Sequence, residues 1–267
     1  MSKIDQLIEI NTMLVDDQPQ YKKDAAAFPK DEVSQRRLMR SLMNVRYPRI
    51  IPKGLLEARD QFLSEEREAK GVVHVNELLP SENDSRLFLW QGDITRLDAD
   101  AIVNAANSQM LGCFVPCHGC IDNAIHSAAG LQLRDECAEI MRSQGHEEAT
   151  GKAKITGGYN LPAKHVIHTV GPIVYGALTK EDRRLLASCY TSCLELADQN
   201  GLESIAFCCI STGEFHFPNQ AAAEVAVETV RRWLDQHSGT SIRKVVFNVF
   251  KDLDLKIYES ILNGEVR

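Results

Sequence analysis

Cys113, Cys117, His118 and Cys120 put three thiols and an imidazole into the stretch Gly112-Cys-Phe-Val-Pro-Cys-His-Gly-Cys-Ile-Asp-Asn-Ala-Ile-His126. Thiolate sulfur and imidazole nitrogen are the donors that borderline-soft zinc prefers. Cys113, His118 and Cys120 supply three ligands from one short loop, and three protein ligands with an open position describe a catalytic zinc site. Cys117 as a fourth ligand would close the site into a structural one, and the spacing leaves both versions open. Cys117-His-Gly-Cys120 is also a C-x-x-C pair, which can act as a redox dithiol if one thiol is activated. Haem attachment is excluded because Ile121, not His, follows the second cysteine of that pair. The other five cysteines, Cys137, Cys189, Cys193, Cys208 and Cys209, fall on apolar helix faces or in an apolar run and read as small core residues.

Two further stretches could bind a ligand. In Gln91-Gly-Asp-Ile-Thr95, the Asp93 carboxylate follows a strand pattern and could accept from an exocyclic amine or a ribose hydroxyl, although a Gly-Asp pair alone is only a turn signal. Ser211-Thr-Gly-Glu-Phe-His-Phe-Pro218 lies between an apolar strand pattern and a helix. Small hydroxyl residues and a glycine leave backbone N–H groups free, and the following helix dipole favours an anion such as a phosphate. The stretch is not a Walker loop, because no Lys stands in the required position.

These residues need elements to position them. Strand patterns fall at Leu87–Trp90, Ala101–Asn104, Ala153–Thr156, His165–Val170, Ser204–Ile210 and Lys244–Phe250, with helical periodicity at 121–143 (broken near Gly130), 181–198, 221–236 and a last helix through Ile261. Alternation of strands and helices implies a largely parallel sheet covered on both faces. The three loops would then share one edge of that sheet, which brings together a carboxylate, phosphate-cradling amides and a metal loop beside Asn107 and Asp122. Residues 1 to about 80 are helical and separate in character: Ile4, Leu7, Ile8 and Leu14, then Val33, Leu38 and Leu42, then Leu55, Leu56, Phe62 and Leu63 repeat at helical spacing. They read as an extension packed on the main domain, or as a docking surface for a partner. Ser81-Glu-Asn-Asp-Ser85 is the boundary candidate, giving a helical extension over 1–85 and a main domain over 86–267.

At 267 residues the chain has room for one large domain or a domain with an extension. A net charge of -7 argues against nonspecific binding to nucleic acid. No apolar run approaches the roughly 18 residues of a membrane span, and Met1-Ser-Lys-Ile-Asp-Gln shows no signal-peptide pattern. The expectation is a cytoplasmic protein with reduced thiols.

Val103-Asn-Ala-Ala-Asn107, Gly92-Asp-Ile-Thr95, Ala124-Ile-His-Ser-Ala-Ala-Gly130, His168-Thr-Val-Gly-Pro172 and Ser211-Thr-Gly213, in this order, resemble a macrodomain over residues 86 to 267. The Cys/His loop resembles the zinc-dependent bacterial and fungal branch, where zinc-free relatives carry a Gly-rich loop, and the helical extension is typical of that branch. The resemblance implies a three-layer α/β/α fold with a mixed, largely parallel sheet, and removal of mono-ADP-ribose from modified proteins. By motif, Asp93 would hold the adenine amino group, Ile94 would line its pocket and Phe250 would stack on the ring. Ser211, Thr212, Gly213, Glu214 and Phe215 would wrap the diphosphate, opposed by backbone from the loop that ends at Asn123. Asn107 and Asp122 would contact the distal ribose as catalytic residues, while Cys113, His118 and Cys120 hold Zn2+. His126 reads as structural. The implied partner is a mono-ADP-ribosylated protein, such as a lipoyl-carrier protein modified by a sirtuin-type ADP-ribosyltransferase. Two functions from other classes compete: a noncatalytic ADP-ribose reader, and a thiol-redox module built on Cys117 and Cys120.

Overall fold

The apolar run Ala101–Ala106 forms strand β3 at the centre of the molecule, with Ala101, Ile102 and Val103 fully shielded from solvent. A strand apolar on both faces needs cover on both faces, and the rest of the chain supplies it. The computed structural model describes residues 2–264. Its sheet has the order β1 (Pro80–Ser81), β2 (Asp84–Gln91), β7 (Lys244–Val249), β6 (Ser204–Phe207), β3, β5 (His165–Val170), β4 (Ala153–Gly157). The five inner strands are parallel, and β1 and β4 close the edges antiparallel. The sheet is therefore mixed and largely parallel.

From β3 the chain steps outward to β5 through helices α5 (Ile121–Ala129) and α6 (Leu131–Gln144), then reverses past β3 to β6 and β7 through α7 (Lys180–Gln199) and α8 (Asn219–Gln236). Right-handed crossovers in opposite directions put α5 and α6 on one face and α7 and α8 on the other, where α9 (Asp252–Leu262) joins them. The result is a three-layer α/β/α domain. Loops that follow β2, β3, β6 and β7 all emerge at the carboxyl edge, beside the reversal of strand order where open α/β sheets bind ligands.

Helices α1 (Lys3–Asp17), α2 (Lys22–Ala26), α3 (Glu32–Val45) and α4 (Lys53–Lys70) precede the sheet. Leu7, Ile10, Leu14, Leu38, Leu42, Leu55 and Phe62 build a second core, completed by Leu131 of α6. Val33 does not join it. It sits in the first turn of α3 and is 80% exposed, because the buried face runs through Gln35, Leu38, Met39, Leu42 and Met43. The Ser81–Ser85 stretch forms the turn between β1 and β2, so pairing in the sheet starts at Pro80.

Two strands end earlier than their apolar patterns. β6 stops at Phe207, and Cys208, Cys209 and Ile210 lead out of the sheet. β7 stops at Val249, which leaves Phe250 one residue beyond it and 75% exposed. In both cases apolar residues past the last paired position face a cavity instead of a neighbouring strand.

Candidate functional site

A cavity of about 560 Å³ opens at the carboxyl edge, walled by the loops after β2, β3, β6 and β7 and by the start of α5. Of the residues singled out in the sequence, Asp93, Ile94, Asn107, Cys113, His118, Cys120, Asp122, Ser211, Thr212, Gly213, Glu214, Phe215 and Phe250 all line it. Asn123 does not. Its side chain is fully buried, accepting from Arg40 and donating to Val115 O at 3.0 Å.

On the β2–β3 loop, Asp93 Oδ1 accepts from the Thr95 N–H at 3.0 Å and the Thr95 hydroxyl at 2.7 Å, which leaves Oδ2 for a donor in the cavity. Ile94 is a buried wall beside it, and Phe250 presents an open ring. Asn248 Nδ2 donates to Gly92 O at 3.0 Å and fixes the turn that carries Asp93. Asn248, Lys251 and Asp254 also line the cavity and escaped the sequence reading. The buried Asp254 is held by Asn219 Nδ2 at 2.6 Å. The rule applied to the other loops, that residues just past a parallel strand face the ligand, would have found Lys251 and Asp254 beyond β7.

The β6–α8 loop forms another wall of the cavity. Ser211 holds φ 65, a left-handed conformation that costs a non-glycine residue of order 1–3 kcal/mol and tends to mark functional loops. Thr212, His216 and Phe217 donate their N–H groups to Cys209 O, Gly213 O and Ser211 O. The N–H groups of Gly213, Glu214 and Phe215 have no partner among the described residues. Three free amides in a tight loop before a helix form an anion cradle. Gly171 lies beneath it, and a Cβ there would come within 2.1 Å of Ser211 Oγ.

On the β3–α5 loop, one donor atom each from Cys113, His118 and Cys120 lie within 4.8 Å of one another. Cys120 is the N-cap of α5, and its Sγ accepts from Asn123 N–H at 3.4 Å. Burial pushes the Cys120 thiol up to about 12, offset in part by that N–H, with neighbouring Cys113 pushing the same way. His118 Nδ1 is buried without a hydrogen-bond partner, while Nε2 lies 3.8 Å from Glu214 of the anion loop. Cys117 turns away: it has φ 53, and its Sγ lies 3.3 Å from Ser41 Oγ and 3.5 Å from Arg37 O, both on α3. It is not in the donor group.

Asp122 stands next to that group, and Asn104 Nδ2 donates to its Oδ1 at 2.8 Å. Burial raises Asp122 to about 6, against the Asn104 bond and the Arg134 charge, which lower it. Behind it, Asn104 also reaches His168 Nδ1 at 3.1 Å, and Thr156 meets His168 Nε2 at 3.0 Å. His126, Cys137 and His168 form a second buried donor cluster there. Both nitrogens of His168 are engaged, and burial pulls His168 down to about 3 and His126 well down, so both imidazoles are neutral supports. Gly112, at φ 77, passes over His126, where a Cβ would meet the ring at 2.9 Å. Asn107 spends Nδ2 on Gly112 O at 3.2 Å and Oδ1 on Gln109 N–H at 3.0 Å, so it shapes this loop as well as facing the cavity.

One cavity lined by a carboxylate, a loop with free amides, and an acid beside soft donors belongs to a three-layer α/β/α protein with its candidate site at the carboxyl edge of the sheet. Comparison with known proteins narrows this. The Macro domain family matches residues 103–226. A "Protein-ADP-ribose hydrolase" of Treponema medium is 49% identical over 265 residues, covering 98% of this chain and 100% of that protein. A "Probable bifunctional ADP-ribose hydrolase/ADP-ribosyltransferase" of Fusarium oxysporum f. sp. cubense is 42% identical, covering 97% of this chain and 46% of that protein. The Trypanosoma brucei macrodomain solved in complex with ADP-ribose superposes with a TM-score of 0.65 at 32% identity, over 83% of this chain and 94% of that one. The chain belongs to the macrodomain family.

Proposed function

We propose that the protein is a zinc-dependent protein-ADP-ribose hydrolase that removes mono-ADP-ribose by cleaving the bond at the distal ribose. Residues 86–267 are the macrodomain in this reading, and residues 1–85 are its helical extension. One observation carries it: the Cys113, His118, Cys120 donor group and Asp122 line the same cavity as Asp93 and the β6–α8 loop. Reading ADP-ribose needs the carboxylate and the amides, whereas three soft donors add nothing to recognition. Relatives named as protein-ADP-ribose hydrolases support the reaction class.

The donors fit zinc. Two sulfurs and a ring nitrogen of His118 converge in one small region, and His118 Nδ1 is buried without a hydrogen-bond partner. Burial, with the Cys113 thiol beside it, is what raises Cys120, and a divalent cation would invert that logic by holding both as thiolates. When bound there, zinc would supply Lewis-acid polarisation of a ribose hydroxyl or of water.

The chain's own residues do the rest. Asp93 Oδ2 accepts from the adenine amino group, Ile94 walls the ring and Phe250 stacks on it. The Gly213, Glu214 and Phe215 amides neutralise the diphosphate, which fixes the distal ribose against Asn107 and Asp122. Breaking the bond at the anomeric carbon develops oxocarbenium character, and the Asp122 carboxylate stabilises that positive charge. In this reading the other Asp122 oxygen takes the proton of the attacking water. The substrate is a mono-ADP-ribosylated protein. The fungal relative whose name joins hydrolase to transferase supports pairing with an ADP-ribosyltransferase, and a sirtuin-type enzyme acting on a lipoyl-carrier protein is the pairing this reading favours.

The test is release of ADP-ribose from a mono-ADP-ribosylated protein before and after zinc chelation. Release that stops with the chelator and returns with zinc is the expected outcome. No release in either state, with free ADP-ribose still bound, would replace the hydrolase by a reader.

A further inference from the structure

The loop that carries the three donors has little structure of its own. Within it, one backbone bond closes a turn, from His118 N–H to Val115 O at 3.2 Å. Most of its remaining support comes from α3, more than 65 residues earlier in the chain. Arg40 is the main contact. Its Nη2 donates to His118 O at 3.0 Å, and Nε and Nη2 both donate to Asn123 Oδ1, at 3.0 and 2.7 Å. Asn123 in turn gives its backbone N–H to Cys120 Sγ at 3.4 Å and its Nδ2 to Val115 O at 3.0 Å. One guanidinium therefore holds two of the three donor residues, His118 directly and Cys120 through Asn123. One turn further along α3, Asn44 Oδ1 accepts the Cys117 N–H at 2.9 Å.

We propose that α3 is the outer wall of the metal centre and that Arg40 is a positioning residue that sets how firmly the metal is held. The inference rests on the zinc reading above. Donors on a floppy loop must be ordered when the ion binds, and that ordering weakens binding. A planar guanidinium spanning two acceptors orders them beforehand in a fixed relation, which a lysine's single ammonium cannot do. Partners one bond behind metal ligands change metal affinity or activity about 10- to 100-fold when removed.

The experiment uses the full-length zinc-loaded protein and follows transfer of zinc to a chromogenic chelator, with thermal melting recorded on the same samples. R40M and R40K should release zinc about 10- to 100-fold faster than the unaltered protein. R36M is the control: Arg36 lies on the same helix and pairs with Glu66 at 2.7 Å, with no hydrogen bond to the loop. It should melt earlier and release zinc at the unaltered rate. Wild-type release rates in both Arg40 variants would overturn the proposal, and so would equally fast release from R36M, which would reduce the effect to general destabilisation. Should R40M fail to fold, R40K keeps the stem and the charge and reads the same rate. An unaltered protein that takes up no zinc would sink the zinc reading itself, a result distinct from either.

Discussion

The two loops that face each other across the cavity are built in opposite ways. The β6–α8 loop braces itself: Thr212, His216 and Phe217 donate backwards within it, and among the described residues the outside backbone help is Val174 N–H to Phe215 O at 2.9 Å. Its strain, at Ser211 and His216, is local. The Cys113–Cys120 loop is held from outside, by Arg40, Ser41 and Asn44 of α3, by Asn107 at its start and by Arg134 of α6 at Cys113 O. Arg134 also donates to the carbonyls of Met43, Asn44 and Arg46, so it ties the end of α3 to the same loop. The two supports differ in reach: the β6–α8 loop is braced within the sandwich, whereas the donor loop also leans on the extension.

The sharpest break of that comparison is Cys120→Ala. It removes one soft donor but leaves Asp93 and the amide cradle intact. The expected result is loss of turnover and of bound zinc with ADP-ribose binding retained by calorimetry. Loss of the fold together with the metal would make the site structural. Phe250→Ala probes the residues assigned to adenine. Losing a base-stacking platform costs about 1–3 kcal/mol per base, so ADP-ribose binding should weaken by that amount while zinc content and turnover at saturating substrate stay put. Gly171→Ala strikes the self-braced loop from below, where the new Cβ would sit 2.1 Å from Ser211 Oγ and 2.9 Å from Ile210 Cγ2. Overpacking costs about 1–3 kcal/mol, and it should be felt in melting temperature and ADP-ribose affinity but not in the rate of zinc release. A change in zinc release with Gly171→Ala would mean that the two loops are coupled and the comparison wrong.

Much of this was legible in the sequence because it is local. Apolar runs gave the inner strands, helical periodicity gave the helices, and residues just past strand ends gave the cavity. Two things were not legible, for the same reason. The direction of the Cys117 side chain depends on a positive φ and on Ser41, and no spacing rule for metal ligands contains a residue so far away. The side-chain bond from Arg40 to Asn123 likewise reaches across from the extension and leaves no local signal. The extension read as inert packing or a docking surface, since periodicity exposes apolar faces and says nothing of which polar residue reaches across. Deleting residues 1–80, a natural test of docking, would also remove α3 and its hold on the loop, so lost turnover in that truncation could not be credited to a missing partner.

The smallest expected effect isolates the extension's own stability from its hold on the loop. Glu66 of α4 meets Arg36 of α3 through two bonds, at 2.8 and 2.7 Å, and Lys70 at 3.4 Å. Burial alone would raise its carboxyl, but Arg36 and then Lys70 overcome that and bring it to about 2 from an ordinary 4.5. A carboxyl lowered on folding stabilises fully above its unfolded value, and the contribution disappears as pH falls through the folded value. Glu66→Gln should therefore melt below the unaltered protein at pH 6, with a gap that closes as the pH is taken from about 4.5 toward about 2. A gap of constant size across that range would show that the pair acts by packing and not by charge. Because Glu66 makes no hydrogen bond to the Cys113–Cys120 loop, zinc release from Glu66→Gln at neutral pH should match the unaltered protein. Faster release would spread the hold on the metal over the whole helical extension and take it away from Arg40.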